Sequence, residues 1–134
     1  LESTIVGLVN RPTLLRAGGV PTEAIEAALG HALEIGEEGN ITAPGQLASH
    51  YAPQAKLRLN ATEARNDEVM LGFGDVPGDL TLSRTGDLAE AAARLFDCLH
   101  QLDATGRPIA VASVPHTGLG RAINDRLTRA AAPR

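Results

Sequence analysis

The apolar positions of this chain fall into distinct rhythms, and each rhythm predicts a different element. Leu88, Ala91, Ala92, Leu95, Phe96, Leu99 and Leu102 recur at the 3.6-residue spacing of an amphipathic helix. Asp87 or Thr85 is placed to cap its start, and Gly106 lies just past its end. A second stripe, Leu119, Ile123, Leu127 and Ala130, predicts a closing helix over 119–131. Between the two helices, Pro108–Val114 is an apolar run interrupted only by Ser113, the mark of a strand covered on both faces. Leu57–Ala61, Glu68–Gly74 and Leu80–Ser83 are shorter strand candidates. Strand–helix–strand–helix implies a right-handed crossover and a parallel pair. The connections over 62–67 and 75–79 are too short for full helical crossovers, which leaves mixed pairing open to the earlier strands. Residues 56–134 should therefore form a small α/β, Rossmann-like layered domain with a mainly parallel or mixed sheet.

Upstream the rhythm is weaker. Ser3–Val9 reads as a strand interrupted by Gly7, Asn10-Arg11-Pro12 as a turn, and Thr13–Leu15 as a second strand. Gly18-Gly19 supplies conformations closed to other residues. Thr22 is expected to cap a helix running through Leu29, with Glu23 and Glu26 near its positive end and Gly30 at its stop. His31–Asn40 is acidic and glycine-punctuated with no sustained period, which predicts a mobile connection. Ala43–Pro53 is different. Pro44 and Pro53 hold Ala43 and Ala52 in extended geometry, so the segment should be a stiff strap carrying His50 and Tyr51 side by side.

Composition narrows the partners. Hydrophobic residues make up 43% and aromatics only 2%, so the core must rest on Ala, Leu, Val and Ile, which suits closely packed α/β layers. A net charge of −4 argues against a strongly basic nucleic-acid surface, although Arg121, Arg126, Arg129 and Arg134 cluster near the C-terminus. The single cysteine, Cys98, excludes an internal disulfide and fits a reducing compartment. Without a long apolar run or a signal-peptide pattern, nothing suggests a membrane or export, and a cytoplasmic setting is expected. The chain opens on Leu1 directly into a β-branched pattern, which reads as a piece of a longer protein.

Several residues could carry chemistry. Arg16 sits where a strand meets a two-glycine turn, so its guanidinium can fork onto a carboxylate or phosphate; a plain surface arginine fits the pattern as well. The His50-Tyr51 strap suits a lid over a site, but pattern alone favours an interdomain linker whose aromatic packs on a neighbour. No carboxylate at motif spacing orients His50 as a general base. Gly118-Leu119-Gly120 follows an apolar strand as a phosphate-binding turn would, yet the full glycine spacing is missing, which favours a tight helix–sheet approach. His116 and His100 read as structural or solvated, and Cys98 as inert packing. No Cys/His cluster has metal-ligand spacing.

The strap Ala43-Pro44-Gly45 to His50-Tyr51-Ala52-Pro53 resembles the linker of the two-domain L-threonylcarbamoyladenylate synthases, the long form of the YrdC-like family. Ala43 stands where that family more often has serine. Upstream, Glu2-Ser3-Thr4-Ile5-Val6 and Leu14–Val20 resemble the close of the family's catalytic domain. Downstream, Gly86–Ala92 and Gly118–Leu127 resemble its small C-terminal domain, in the same order. The resemblance implies a catalytic-domain tail at 1–30, an interdomain linker or lid at 31–55 and a small α/β accessory domain at 56–134. It further implies a complete nucleotidyltransferase that makes threonylcarbamoyl-AMP from threonine, bicarbonate and ATP with Mg2+, for tRNA threonylcarbamoyladenosine modification, alongside possible tRNA-modification partner proteins. Ser3, Thr4 and Arg16 match substrate- or ATP-binding positions, and His50 and Tyr51 the lid. The catalytic ATP-site motifs are not found in residues 1–134, so this fragment should by itself be inactive, with no catalytic residue, cofactor or metal of its own. The rival reading is a non-catalytic α/β domain for ligand sensing or protein interaction, with the strap as a tether.

Overall fold

A computed structural model describes residues 2–9, 11–35 and 53–132. The upstream part is a three-stranded sheet, β1 (Ile5–Gly7), β2 (Thr13–Arg16) and β3 (Glu34–Ile35), with helix α1 (Thr22–Leu29) between the last two strands. β1 and β2 are antiparallel, and β2 pairs with β3 in parallel. The start of the expected mobile connection is thus structured: Leu33 is buried and β3 closes the sheet. Glu26 explains part of this, because its carboxylate accepts from the Leu33 amide at 2.7 Å and draws the chain back past α1. Thr22 does not cap α1. Pro21 occupies the cap position without a side-chain bond, and Thr22 is the first helical residue, buried. Proline's fixed φ and its missing N–H suit a helix start, which leaves the threonine free to pack.

Residues 53–132 carry the second sheet, ordered β4-β7-β5-β6 from β4 (Leu57–Ala61), β5 (Val69–Gly72), β6 (Leu80–Thr81) and β7 (Ile109–Ala112). Every pairing in it is parallel, so of the parallel and mixed arrangements that the sequence leaves open the parallel one is found, despite the short early connections. The physical reason is strand length. At about 3.3 Å rise per residue, a four-residue strand spans only about 13 Å, which a few extended residues can retrace without a helix. Between β5 and β6 this return is a tight reversal at Phe73 and Val76, whose backbones form an antiparallel bridge.

Helices α2 (Leu88–Asp103) and α3 (Leu119–Ala131) complete this unit. Asp87 caps α2, its carboxylate accepting from the amides of Ala89 and Glu90. α2 packs on β5 and β6, α3 on β4, and the helices on each other. All four residues of the central strand β7 are buried, as the apolar run predicts for a strand covered on both faces. Leu71, Leu82, Leu95, Ile109, Ile123 and Leu127 form the heart of the core. Phe96 departs from its stripe. It is 42% exposed, because it packs beneath the guanidinium of Arg126 instead of entering the core.

Candidate functional site

The β2 strand ends at Arg16, and the turn that follows folds back onto residues 2–4. A Cβ at Gly18 would overlap the backbone of Glu2, Ser3 and Thr4, so only glycine permits this approach. The Gly19 amide donates to the Glu2 carbonyl at 2.8 Å and fixes it. Thr4 completes the lock: its hydroxyl donates to the Val20 carbonyl at 2.8 Å and accepts from the Val20 amide at 3.1 Å. Three of the five residues singled out from sequence, Ser3, Thr4 and Arg16, are thereby gathered at one turn. His50 and Tyr51 lie outside the described residues.

Arg16 is not a loose surface cation. It is 9% exposed, and its Nε donates to the Ser3 carbonyl at 2.9 Å while Nη2 donates to the Ser3 hydroxyl at 3.3 Å. Its Nη1 lies 3.2 Å from a carboxylate oxygen of Glu2. The planar fork is thus held by a carbonyl, a hydroxyl and a carboxylate together. Because Ser3 Oγ accepts from a cation, its own O–H is left to donate to a further acceptor. The arginine's own charge is compensated by Glu2, while the residue that carries the hydroxyl is exposed.

Two contacts missed in the sequence tie this turn to α3. The second Glu2 oxygen lies 3.8 Å from Nε of Arg126. Glu23 of α1 accepts from the Gly118 amide at 2.6 Å, at the start of α3. That hydrogen bond, above all, holds the Glu23 carboxyl below its ordinary range. Gly118 has φ 54, and a Cβ at Gly120 would run into the Pro115 carbonyl. The Gly118-Leu119-Gly120 turn therefore serves close approach, and its first amide is taken by a carboxylate of the same chain.

The strap's flanks are anchored at both described ends. β3 pairs with β2, whose last residue is Arg16. Downstream, the amides of Gln54 and Ala55 donate to the Asp103 carboxylate at 3.2 and 2.9 Å. Elsewhere, Cys98 is buried, and that burial pushes its thiol above the ordinary range. Among the described residues no three His, Cys, Asp or Glu side chains converge as a metal-binding group, and no helix is long and apolar enough to cross a membrane.

Known proteins match this arrangement along nearly its whole length. The family model for the threonylcarbamoyl-AMP synthase C-terminal domain matches residues 20–132. The threonylcarbamoyl-AMP synthase of Pyrococcus abyssi (strain GE5 / Orsay) is 31% identical over 97% of this chain and 45% of its own length. That of Bacillus subtilis (strain 168) is 32% identical over 100% of this chain and 46% of its own. The chain thus spans just under half the length of these relatives. Among solved structures, P. abyssi Sua5 complexed with L-threonine superimposes with a TM-score of 0.80 at 30% identity, over 97% of this chain and 45% of that one. A variant of P. abyssi Sua5 in which consecutive histidine and tyrosine residues are replaced by alanine gives 0.76 at 28% identity, over 98% and 45%.

Proposed function

This chain belongs to the threonylcarbamoyl-AMP synthase C-terminal domain family, and on that premise we propose that it serves as the C-terminal portion of such a synthase. The complete protein would join threonine, bicarbonate and ATP into threonylcarbamoyl-AMP and release pyrophosphate, in the cytoplasm, to supply tRNA modification. The observation that carries this reading is the joint match of sequence and fold over 97% of the chain to one relative, in a form complexed with L-threonine. Within the chain, residues 1–30 would belong to the catalytic domain, 31–55 to a linker that doubles as a lid, and 56–134 to an accessory α/β unit.

In this reading Arg16, Ser3 and Thr4 face the substrate. Arg16 would supply charge to an anionic group and leaves the Ser3 hydroxyl, which accepts from it, able to donate to the substrate, while Thr4 fixes the turn through Val20. His50 and Tyr51 seal the pocket mouth against water, which would destroy a mixed anhydride. The alanine replacement of a consecutive histidine–tyrosine pair in the P. abyssi protein supports attention to this pair, the only such dipeptide here. ATP and Mg2+ would be handled by the catalytic domain upstream. Among the described residues no side chains assemble a metal-ligand set.

The test is threonylcarbamoyl-AMP production by the complete protein, followed by mass spectrometry and pyrophosphate release. Product that requires threonine, bicarbonate and ATP together is expected, with none from residues 1–134 alone. Failure of the complete protein to form that product would contradict the reading.

A further inference from the structure

Arg126 lies within the buried stripe of α3, between Ile123 and Leu127, and is only 4% exposed. A cation that deeply placed is tolerated only when paired, because desolvation of an isolated guanidinium is prohibitive. Asp125, its sequence neighbour, pairs with Arg129 at 3.0 Å and lies close enough to Glu2 and Arg126 to feel both charges. Arg126 instead stacks over the Phe96 ring at 4.9 Å and brings Nε to 3.8 Å from Glu2 Oε1. The other oxygen of the same carboxylate is 3.2 Å from Nη1 of Arg16. One carboxylate thus lies between two guanidinium groups, one at the end of β2 and one on α3.

We propose that Arg126, acting through Glu2, is a positioning residue for Arg16, so that docking of α3 sets how much of Arg16's charge is available to an anionic substrate. With Arg126 in place, the Glu2 charge is divided between two cations. Without it, the carboxylate falls wholly to Arg16 and competes with the incoming anion. The Glu2 main chain cannot drift to escape this choice, since its carbonyl is held by Gly19 and its neighbours lie against Gly18. Glu23 on the Gly118 amide is a second grip of the upstream unit on α3, made through a different carboxylate from that of Glu2. It separates docking as such from the effect of charge.

The proposal rests on Arg16 being the substrate-binding arginine, and the experiment separates the two ideas. In the complete protein, KM and kcat for threonine and for ATP are measured for Arg16→Ala, Arg126→Gln, Glu2→Gln, Glu23→Gln and the double variant Glu2→Gln/Arg126→Gln. Arg126→Gln should raise KM on the order of tenfold for the same substrate whose KM rises in Arg16→Ala, with kcat changed far less. In the Glu2→Gln background, Arg126→Gln should have no further effect, because its intermediary is gone. Glu23→Gln should leave that KM near wild type. An unchanged KM in Arg126→Gln, an undiminished effect in the Glu2→Gln background, or an equal rise in Glu23→Gln would each overturn the proposal. An Arg16→Ala variant with wild-type KM for both substrates would instead remove Arg16 from the site.

Discussion

Arg16 shows how residue type, position and partner combine into a role. A guanidinium at a strand end is unremarkable until the Gly18-Gly19 turn brings Glu2 and Ser3 within its reach. Arg16→Ala in the complete protein should lower threonylcarbamoyl-AMP formation by roughly tens- to thousands-fold, the range expected for losing a charge-assisted contact of about 2–5 kcal/mol. Circular dichroism should show the fold retained. Wild-type pyrophosphate release at subsaturating threonine would exclude the role. The arginine and the glycines were legible in sequence because turn chemistry is local. In the sequence Arg126 stands out only as one of a C-terminal cluster of arginines, although a charge at 126 on the stripe of 119, 123, 127 and 130 signals a distant partner. That partner, Glu2, lies more than a hundred residues away in the chain, and no periodicity reveals it. Cys98 behaves as its place on the helix predicts: buried, with its thiol pushed up, it should react slowly with thiol reagents until the protein unfolds.

At the scale of elements, the long helices and the central strand were readable, with α2 and α3 found where their stripes place them. The parallel pair implied by the helical crossover was readable too, but the order of the strands was not, because β7, which follows α2 in the chain, lies between β4 and β5. Leu95, wholly buried where α2 meets the sheet, should lose about 2–5 kcal/mol of stability as Leu95→Ala, measured by urea unfolding. A loss below about 1 kcal/mol would mean that α2 does not anchor this core. The pair Arg58–Glu68, at 2.8 Å, joins β4 to the segment leading into β5. The Arg58 hydrogen bond, with help from the Arg65 amide, lowers the Glu68 carboxyl from 4.5 to about 2. A carboxyl lowered in the folded state stabilises above its unfolded pKa and loses that contribution as pH falls toward the folded value. Thermal midpoints should therefore drop between about pH 4.5 and 2, and Glu68→Gln should flatten that part of the profile. An unchanged pH dependence in the variant would deny the pair a role.

For the whole molecule, the upstream residues reach α3 through Glu2 and through Glu23 of α1, and the strap's described flanks are anchored at β2 and at Asp103. If His50 and Tyr51 close over the substrate, the prolines at 44 and 53 reduce the disorder lost on closing, and a flexible replacement of equal reach should not substitute. The most direct measurement is single-turnover formation and decay of threonylcarbamoyl-AMP by the complete protein, wild type against a variant with residues 43–53 replaced by Gly/Ser. Wild-type protein should form the adenylate and retain it, while the variant should form less or release it to water. No adenylate from the wild type would contradict the assigned chemistry, and equal formation and decay in the two proteins would reduce the strap to a tether.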